Sequence, residues 1–209
     1  MTTGRHGQVS VALGLLPSVA AALGADEAPW QRLLGGEDAT RAKELQQQIN
    51  TLQSTGQFGE AAKPAEELLA LRERRQGAGH WQTADARREL KTLRKVAALP
   101  EAARRDIVAA GKFQEEALAL EGKNRHVEAE GPLRKALAIH RKYLGEQHAR
   151  TALSLNYLAG DMYFRCKYAD AAALHRQALE VRRKVLGELH PDTAWSLHYL
   201  AGNLMLLGR

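Results

Sequence analysis

The stretch LGELHPDTAWSLHYLAG at residues 186–202 repeats, with few changes, the stretch LGEQHARTALSLNYLAG at residues 144–160. Comparing each residue from Ala136 to Lys167 with the residue 42 positions later gives 16 identities in 32 positions. A period of 20–50 residues is typical of solenoid proteins, in which similar units stack side by side. The sequence therefore predicts an array of repeated units.

The conserved residues of the two copies have helical spacing. Leu155, Leu158 and Ala159 form one apolar stripe at i, i+3 and i+4, and the stripe returns at residues 197–201. Between two such helices lies Leu-Gly-Glu-x-His, at 144–148 and again at 186–190. The glycine suits a helix end. We expect the recurring histidine to be structural, with its ring hydrogen-bonded to the backbone near the helix end.

A third, more diverged copy lies 68 residues upstream of the first. Its matches are Glu60, Ala61, Pro64, Leu69, Gly77, His80 and Thr83. Since 68 is 42 plus 26, an extra block the size of one helix separates this copy from the other two. The chain is rich in Ala, Leu, Glu, Arg and Lys, which favour helices, and only 5% of its residues are aromatic. We predict an all-α protein with helices at 37–54, 58–76, 81–98, 101–121, 126–144, 149–165, 168–186 and 191–207.

The repeats resemble the tetratricopeptide repeat (TPR) family, in the 42-residue form known from kinesin light chains and many bacterial proteins. The family pattern is met by Leu158, Ala159, Met162, Ala171, His175 and Ala178. An aromatic residue is usual at the position of His175, and a glycine at that of Cys166. The resemblance covers roughly residues 37–209 and implies a right-handed α-solenoid of antiparallel hairpins. Its copies lie near 37–76, 101–144 and 149–186, with an incomplete last repeat at 191–209.

Function follows from the same resemblance. In this family the first helix of each pair lines a concave face that binds peptides or partner proteins, so the expected role is a protein-interaction scaffold without catalysis. The residues that map to the concave face are Leu153, Asn156, Gly160, Tyr163, Trp195, His198, Gly202 and Met205. The upstream half also resembles planctomycete-like multi-repeat proteins, some of which carry a CHAT protease domain. The alternative role is therefore a regulatory segment of a larger enzyme.

Few residues suggest chemistry. A single cysteine, Cys166, excludes an internal disulfide and a zinc site with two or more cysteines. Cys166 replaces a turn glycine, which favours a structural role over that of a nucleophile. We expect no metal and no cofactor. The net charge is +6, but basic residues alternate with acidic ones along the chain. Nucleic-acid binding is therefore a third hypothesis of lower weight.

The two ends of the chain carry separate predictions. Residues 1–25 have the order of a cleaved signal peptide, with Arg5, an apolar run and small residues up to Ala25. This favours export; the alternative is a disordered leader on a cytoplasmic protein. Residues 26–36 would be a linker. The chain ends at Arg209, where a partner helix is expected, which predicts either a piece of a longer protein or self-association through residues 195–207.

Overall fold

The computed structural model describes residues 32–208, which form eight α-helices and no strand. The helices are α1 (Gly36–Ser54), α2 (Phe58–Gln76), α3 (Trp81–Ala97), α4 (Glu101–Glu121), α5 (His126–Leu144), α6 (Ala149–Phe164), α7 (Tyr168–Leu186) and α8 (Pro191–Leu206). Every end lies within one residue of the predicted range, and the all-α repeat architecture is confirmed. The predicted signal peptide lies outside the described residues. No helix within 32–208 is long and apolar enough to cross a membrane.

Short turns join α1 to α2, α4 to α5, and α6 to α7, so each pair is an antiparallel hairpin. Each of these turns contains one residue with positive φ: Gly56 at 81°, Asn124 at 57° and Cys166 at 58°. Cys166 therefore adopts the backbone conformation for which the family uses glycine, as its position in the repeat predicts. The left-handed region is unfavourable for side chains with a Cβ, so Cys166 is under local strain.

The helices pack closely through alanine. Ala129, Ala136, Ala159, Ala171 and Ala178 are fully buried. Their small side chains bring helix axes close together, and leucines such as Leu133 and Leu158 fill the space between them. A second cluster, built on Leu45, Ile49, Phe58 and Leu68, holds the N-terminal helices together. The repeated apolar stripe is thus the core of a stacked array.

The recurring histidines cap helices. Nδ1 of His148 accepts a hydrogen bond from the Arg150 N–H (3.1 Å), and Nδ1 of His190 accepts one from the Asp192 N–H (3.1 Å). Nδ1 of His80 does the same with the Gln82 N–H (3.2 Å). Such bonds satisfy amide groups that the first turn of a helix leaves without a partner. The predicted structural role of these histidines is confirmed.

The extra block between the first and second copies is α3, and it connects two later turns. Nε2 of His148 lies 3.1 Å from Oγ1 of Thr92, and Nε2 of His190 lies 3.0 Å from Oδ2 of Asp85. Because both histidines accept at Nδ1, Nε2 carries the proton and donates to α3. Burial alone would raise the pKa of Asp85, but hydrogen bonds from His190 and Arg88 lower it. Helix α3 therefore holds the turn before α6 and the turn before α8 in a fixed relation.

Candidate functional site

A groove with a volume of about 520 Å³ opens along α6 and α8. Helix α6 contributes one wall and α8 the other, while α7 provides the floor. The lining residues are Glu121, Leu153, Asn156, Tyr157, Gly160, Tyr163, Phe164, His175, Arg182, Asp192, Trp195, His198, Tyr199, Gly202 and Asn203. The groove is thus built from one face of each of two successive repeats.

Seven of the eight residues predicted for the concave face line this one groove. They come from α6 and from the equivalent positions 42 residues later on α8, so the helical period and the repeat period together bring them to one surface. Gly160 and Gly202 leave the centre of each wall open. Met205 does not line the groove; its side chain is 78% exposed near the end of α8. That these residues bind a ligand remains a prediction.

Aromatic rings form the α8 wall. The ring of Trp195 stacks on that of Tyr199 with centroids 5.9 Å apart, and Tyr199 stacks on the imidazole of His175 at 5.3 Å. Trp195 is 55% exposed and Tyr199 is 47% exposed. Rings that support one another and still face solvent offer contact area at little cost in side-chain entropy. The wall is suited to an apolar or planar group of a ligand.

A buried arginine lies under the groove. The side chain of Arg182 is 5% exposed and donates through Nη1 to Oγ of Ser196 (2.9 Å) and to the backbone oxygen of Asp192 (2.8 Å). Burial lowers its pKa, against the attraction of the Asp192 carboxylate. The guanidinium joins α7 to the first turn of α8, and so fixes the angle at which the aromatic wall stands.

The imidazole of His175, which extends the aromatic wall, is uncharged. Burial, and then the nearby charge of Arg182, lower the pKa of His175 to about 4. Turning the Asn156 amide so that its nitrogen donates to Nδ1 of His175 (3.2 Å) also points its oxygen to Arg182 (3.1 Å to Nη2). In this arrangement Asn156, His175 and Arg182 are joined by hydrogen bonds in which each donor faces an acceptor. At neutral pH, His175 is therefore a neutral ring that extends the aromatic wall.

Sequence reasoning missed several lining residues. Tyr157 and Tyr199 are identical residues at equivalent positions, which was a usable signal, and His175 occupies the place where the family has an aromatic residue. Arg182 gave no signal, because at the equivalent position of the preceding repeat the chain has His140. Its role depends on burial that the repeat pattern does not reveal.

One group of ligating side chains lies beside the groove. Glu121, His126 and Asp161 each place one potential ligand atom within 4.8 Å of the others. Glu121 ends α4, His126 begins α5, and Asp161 lies on α6. These are the described residues that could hold a metal ion. They were not predicted, because they come from two repeats and from separate parts of the chain.

Much of the positive charge on the N-terminal helices is paired. Arg41 contacts Glu67, Arg75 contacts Asp38, Arg87 contacts Glu73, and Arg94 contacts Glu66, at distances of 2.6–2.9 Å between nitrogen and oxygen. These exposed pairs contribute little to stability. They interleave both signs of charge on α1–α3, which gives the nucleic-acid hypothesis no support.

The sequence matches a family model described as Tetratricopeptide repeat, over residues 114–184 and 156–209. The match covers residues 114–209, just under half of the chain. Proteins with this repeat are typically non-catalytic scaffolds that mediate protein interaction. The groove lies entirely within the matched residues, because all fifteen lining positions fall in the range from Glu121 to Asn203.

The solved structures that are similar to the chain include the following two. One is a kinesin light chain-like protein from Podosopora anserina with nearly identical TPR-like repeats; it is 21% identical, the match covers 83% of this chain and 70% of that chain, and the TM-score is 0.42. The other is BtubC (BKLC) from P. vanneervenii, at 19% identity, 88% and 85% coverage and a TM-score of 0.48. No curated protein matches the sequence significantly.

Proposed function

We propose that this protein is an interaction scaffold that binds a peptide segment of a partner protein in the groove between α6 and α8. The observation that carries the proposal is the aromatic wall: Trp195 and Tyr199 are packed against each other but half exposed, along a groove of about 520 Å³. Large aromatic side chains in a concave surface supply most of the binding energy in many interfaces.

The chemistry of the wall suggests the kind of segment. Trp195 and Tyr199 offer apolar faces, and His175 is neutral at pH 7 because its pKa is about 4. His198 adds a polar edge beside Trp195, with ring centroids 5.8 Å apart. The preferred ligand is therefore an extended or helical segment with an aliphatic or aromatic anchor, whose backbone hydrogen-bonds to His198.

A library of random peptides displayed on phage would test the groove. The full chain is the bait, selected peptides are synthesised, and their affinities are measured by calorimetry. Trp195→Ala should weaken binding at least about tenfold, as expected for an aromatic anchor. Leu189→Ala is the matched control, because Leu189 is almost fully exposed and does not line the groove. Equal affinities for the wild type and Trp195→Ala would contradict the proposal.

Polar recognition is tested separately with His198→Ala. This variant should weaken the same peptides, while Asn156→Ala is expected to change stability as well, since Asn156 also contacts Arg182 and His175. If neither substitution changes the affinity of a selected peptide, the groove is not its binding site.

The exposed face of α8 also favours self-association through residues 195–207. Leu197, Met205 and Leu206 are exposed on that helix, and a large exposed apolar patch often marks an interface. Light scattering over a range of concentrations should show a mass above that of the monomer, and Met205→Glu should reduce it. A monomer mass for the wild type at high concentration would count against this surface.

A further inference from the structure

The group Glu121, His126 and Asp161 lies where two repeats meet. Glu121 and His126 flank the turn between α4 and α5, and Asp161 projects from α6 of the next repeat. Nδ1 of His126 lies 3.8 Å from Oδ1 of Asp161, and one ligand atom from each of Glu121, His126 and Asp161 lies within 4.8 Å of the other two. Three ligand atoms from two repeats thus converge on one small volume.

Two of these atoms are buried and have no hydrogen-bond partner among residues 32–208. The side chain of Asp161 has no exposed surface; its Oδ2 accepts a hydrogen bond from Arg165 (3.3 Å), whereas its Oδ1 faces His126 and accepts none from the described residues. Nδ1 of His126 is likewise buried and makes no hydrogen bond within this part of the chain. Buried polar atoms are nearly always hydrogen-bonded in native proteins, so two orphans that face each other indicate an absent partner.

The surroundings position the imidazole and concentrate negative charge. The ring of His126 stacks on Phe164, with centroids 4.9 Å apart and planes 16° apart. The carboxylates of Glu121 and Asp161 both lie near this imidazole, and Nη1 of Arg165 contacts Oδ2 of Asp161 at 3.3 Å.

The group is particular to one place in the array. At the next meeting of repeats, 42 residues later, the equivalent residues are Tyr163, Tyr168 and Asn203. None of these side chains is an imidazole or a carboxylate. The packing of this fold therefore does not require the three ligating groups, and their coincidence calls for a different explanation.

We propose that Glu121, His126 and Asp161 bind a zinc ion, through Nδ1 of His126, Oδ1 of Asp161 and a carboxylate oxygen of Glu121. Zinc accepts mixed imidazole and carboxylate ligands at about 2.0–2.2 Å, which places neighbouring ligand atoms about 3.4 Å apart in a tetrahedron. The distance of 3.8 Å between His126 and Asp161 needs a contraction of only a few tenths of an ångström. The fourth position is left for water or for a ligand group.

Zinc in this place would lock the α4–α5 turn to α6. Glu121 and Phe164 also line the groove, so the ion would lie next to the surface proposed to bind peptides. The site does not depend on that proposal, because metal binding is measured without any peptide.

Calorimetric titration of the chelator-treated full chain with zinc chloride tests the site. The expected result is one high-affinity site, weakened at least about tenfold in Glu121→Gln, His126→Gln and Asp161→Asn. Asp161→Asn is the most informative change, because the chain already buries an asparagine, Asn203, at the equivalent position of the next repeat. Glu128→Gln is the control: it also removes one negative charge near His126, but Glu128 is exposed and pairs with Arg125.

Thermal unfolding supplies a second readout. Zinc should raise the melting temperature of the wild type and of Glu128→Gln, and it should leave that of Asp161→Asn unchanged. No heat of binding in the wild type would overturn the proposal. It would also be overturned if Asp161→Asn bound zinc as tightly as the wild type, since the metal would then lie at other histidines.

Discussion

The two places where successive repeats meet in the C-terminal half share a backbone but not a chemistry. Helices α5 and α7 both have 19 residues, and α6 and α8 both have 16. At the first junction, where α4 and α5 meet α6, the variable positions carry Glu121, His126 and Asp161. At the second, where α6 and α7 meet α8, the same positions carry two tyrosines and an asparagine. The repeated leucines, alanines and glycines determine the scaffold, and the remaining positions are free to diverge.

The buried polar contact under each junction shows the same divergence. At the first, Nδ1 of His140 lies 2.7 Å from Oγ of Ser154; at the second, Nη1 of Arg182 lies 2.9 Å from Oγ of Ser196. The serines are equivalent, and so are His140 and Arg182. One position thus holds a neutral imidazole in one repeat and a charged guanidinium in the next. The two should respond differently to substitution and to pH.

The largest expected effect is at the second junction. Arg182→Ala should lower the free energy of unfolding by about 3 kcal/mol, because it removes a well-buried side chain and leaves Ser196 and the Asp192 carbonyl without their donor. Urea denaturation followed by circular dichroism measures the change. Arg183→Ala is the neighbouring control; Arg183 is exposed and pairs with the exposed Glu188, so its loss should cost less than about 0.5 kcal/mol. If Arg182→Ala and Arg183→Ala lowered the free energy of unfolding equally, the buried contacts of Arg182 would not be what stabilises the second junction.

The first junction should differ from the second in how its contribution to stability depends on pH. Burial, and then the charges of Arg150 and His148, lower the pKa of His140 to about 4 from an ordinary value of 6.5. Between these values the unfolded chain binds the proton more readily, so His140 makes the fold less stable as the pH falls from about 6.5 towards 4. At pH 5 the loss is about 2 kcal/mol relative to pH 7.

His140→Gln should therefore reduce the difference in unfolding free energy between pH 7 and pH 5 by about 2 kcal/mol. Ser154→Ala is the control: it removes the hydrogen bond to Oγ but keeps the imidazole buried, so the pH difference should persist. An unchanged difference in His140→Gln would show that other groups cause the acid sensitivity.

The smallest expected effect is in the turns. Cys166→Gly should stabilise the protein by about 1 kcal/mol, because glycine adopts a φ near 58° without strain. Asn124→Gly changes the equivalent turn before α5 and should stabilise it less, since asparagine tolerates this conformation better than cysteine. Thermal unfolding of both variants measures the difference. No gain from Cys166→Gly would show that the turn is not strained.

The repeat pattern was sufficient to predict what the repeats share. It placed the helix ends and the structural histidines, because these depend on local spacing and on the 42-residue period. The family resemblance, mapped onto that period, placed seven residues that line the groove, Leu153 and Trp195 among them. The caps could be predicted since a cap bonds to a residue two positions away.

What the period does not fix was missed. Arg182, His175 and the group around Asp161 depend on burial and on neighbours from other helices, and they differ between copies. The contacts of α3 were missed for a similar reason: Asp85 and His190 are separated by 105 positions along the chain. A pattern with a short period contains no information about such a pair.

Helix α3 has a consequence for how the groove meets a ligand. Asp85 and Thr92 are seven residues apart, which is about 10.5 Å along a helix, and each receives a hydrogen bond from the histidine that begins one wall of the groove. Helix α3 therefore sets the distance between the first turns of α6 and α8. The spacing of the walls is set when the chain folds, so the proposed peptide ligand would meet a preorganised site and would lose little free energy to aligning the walls.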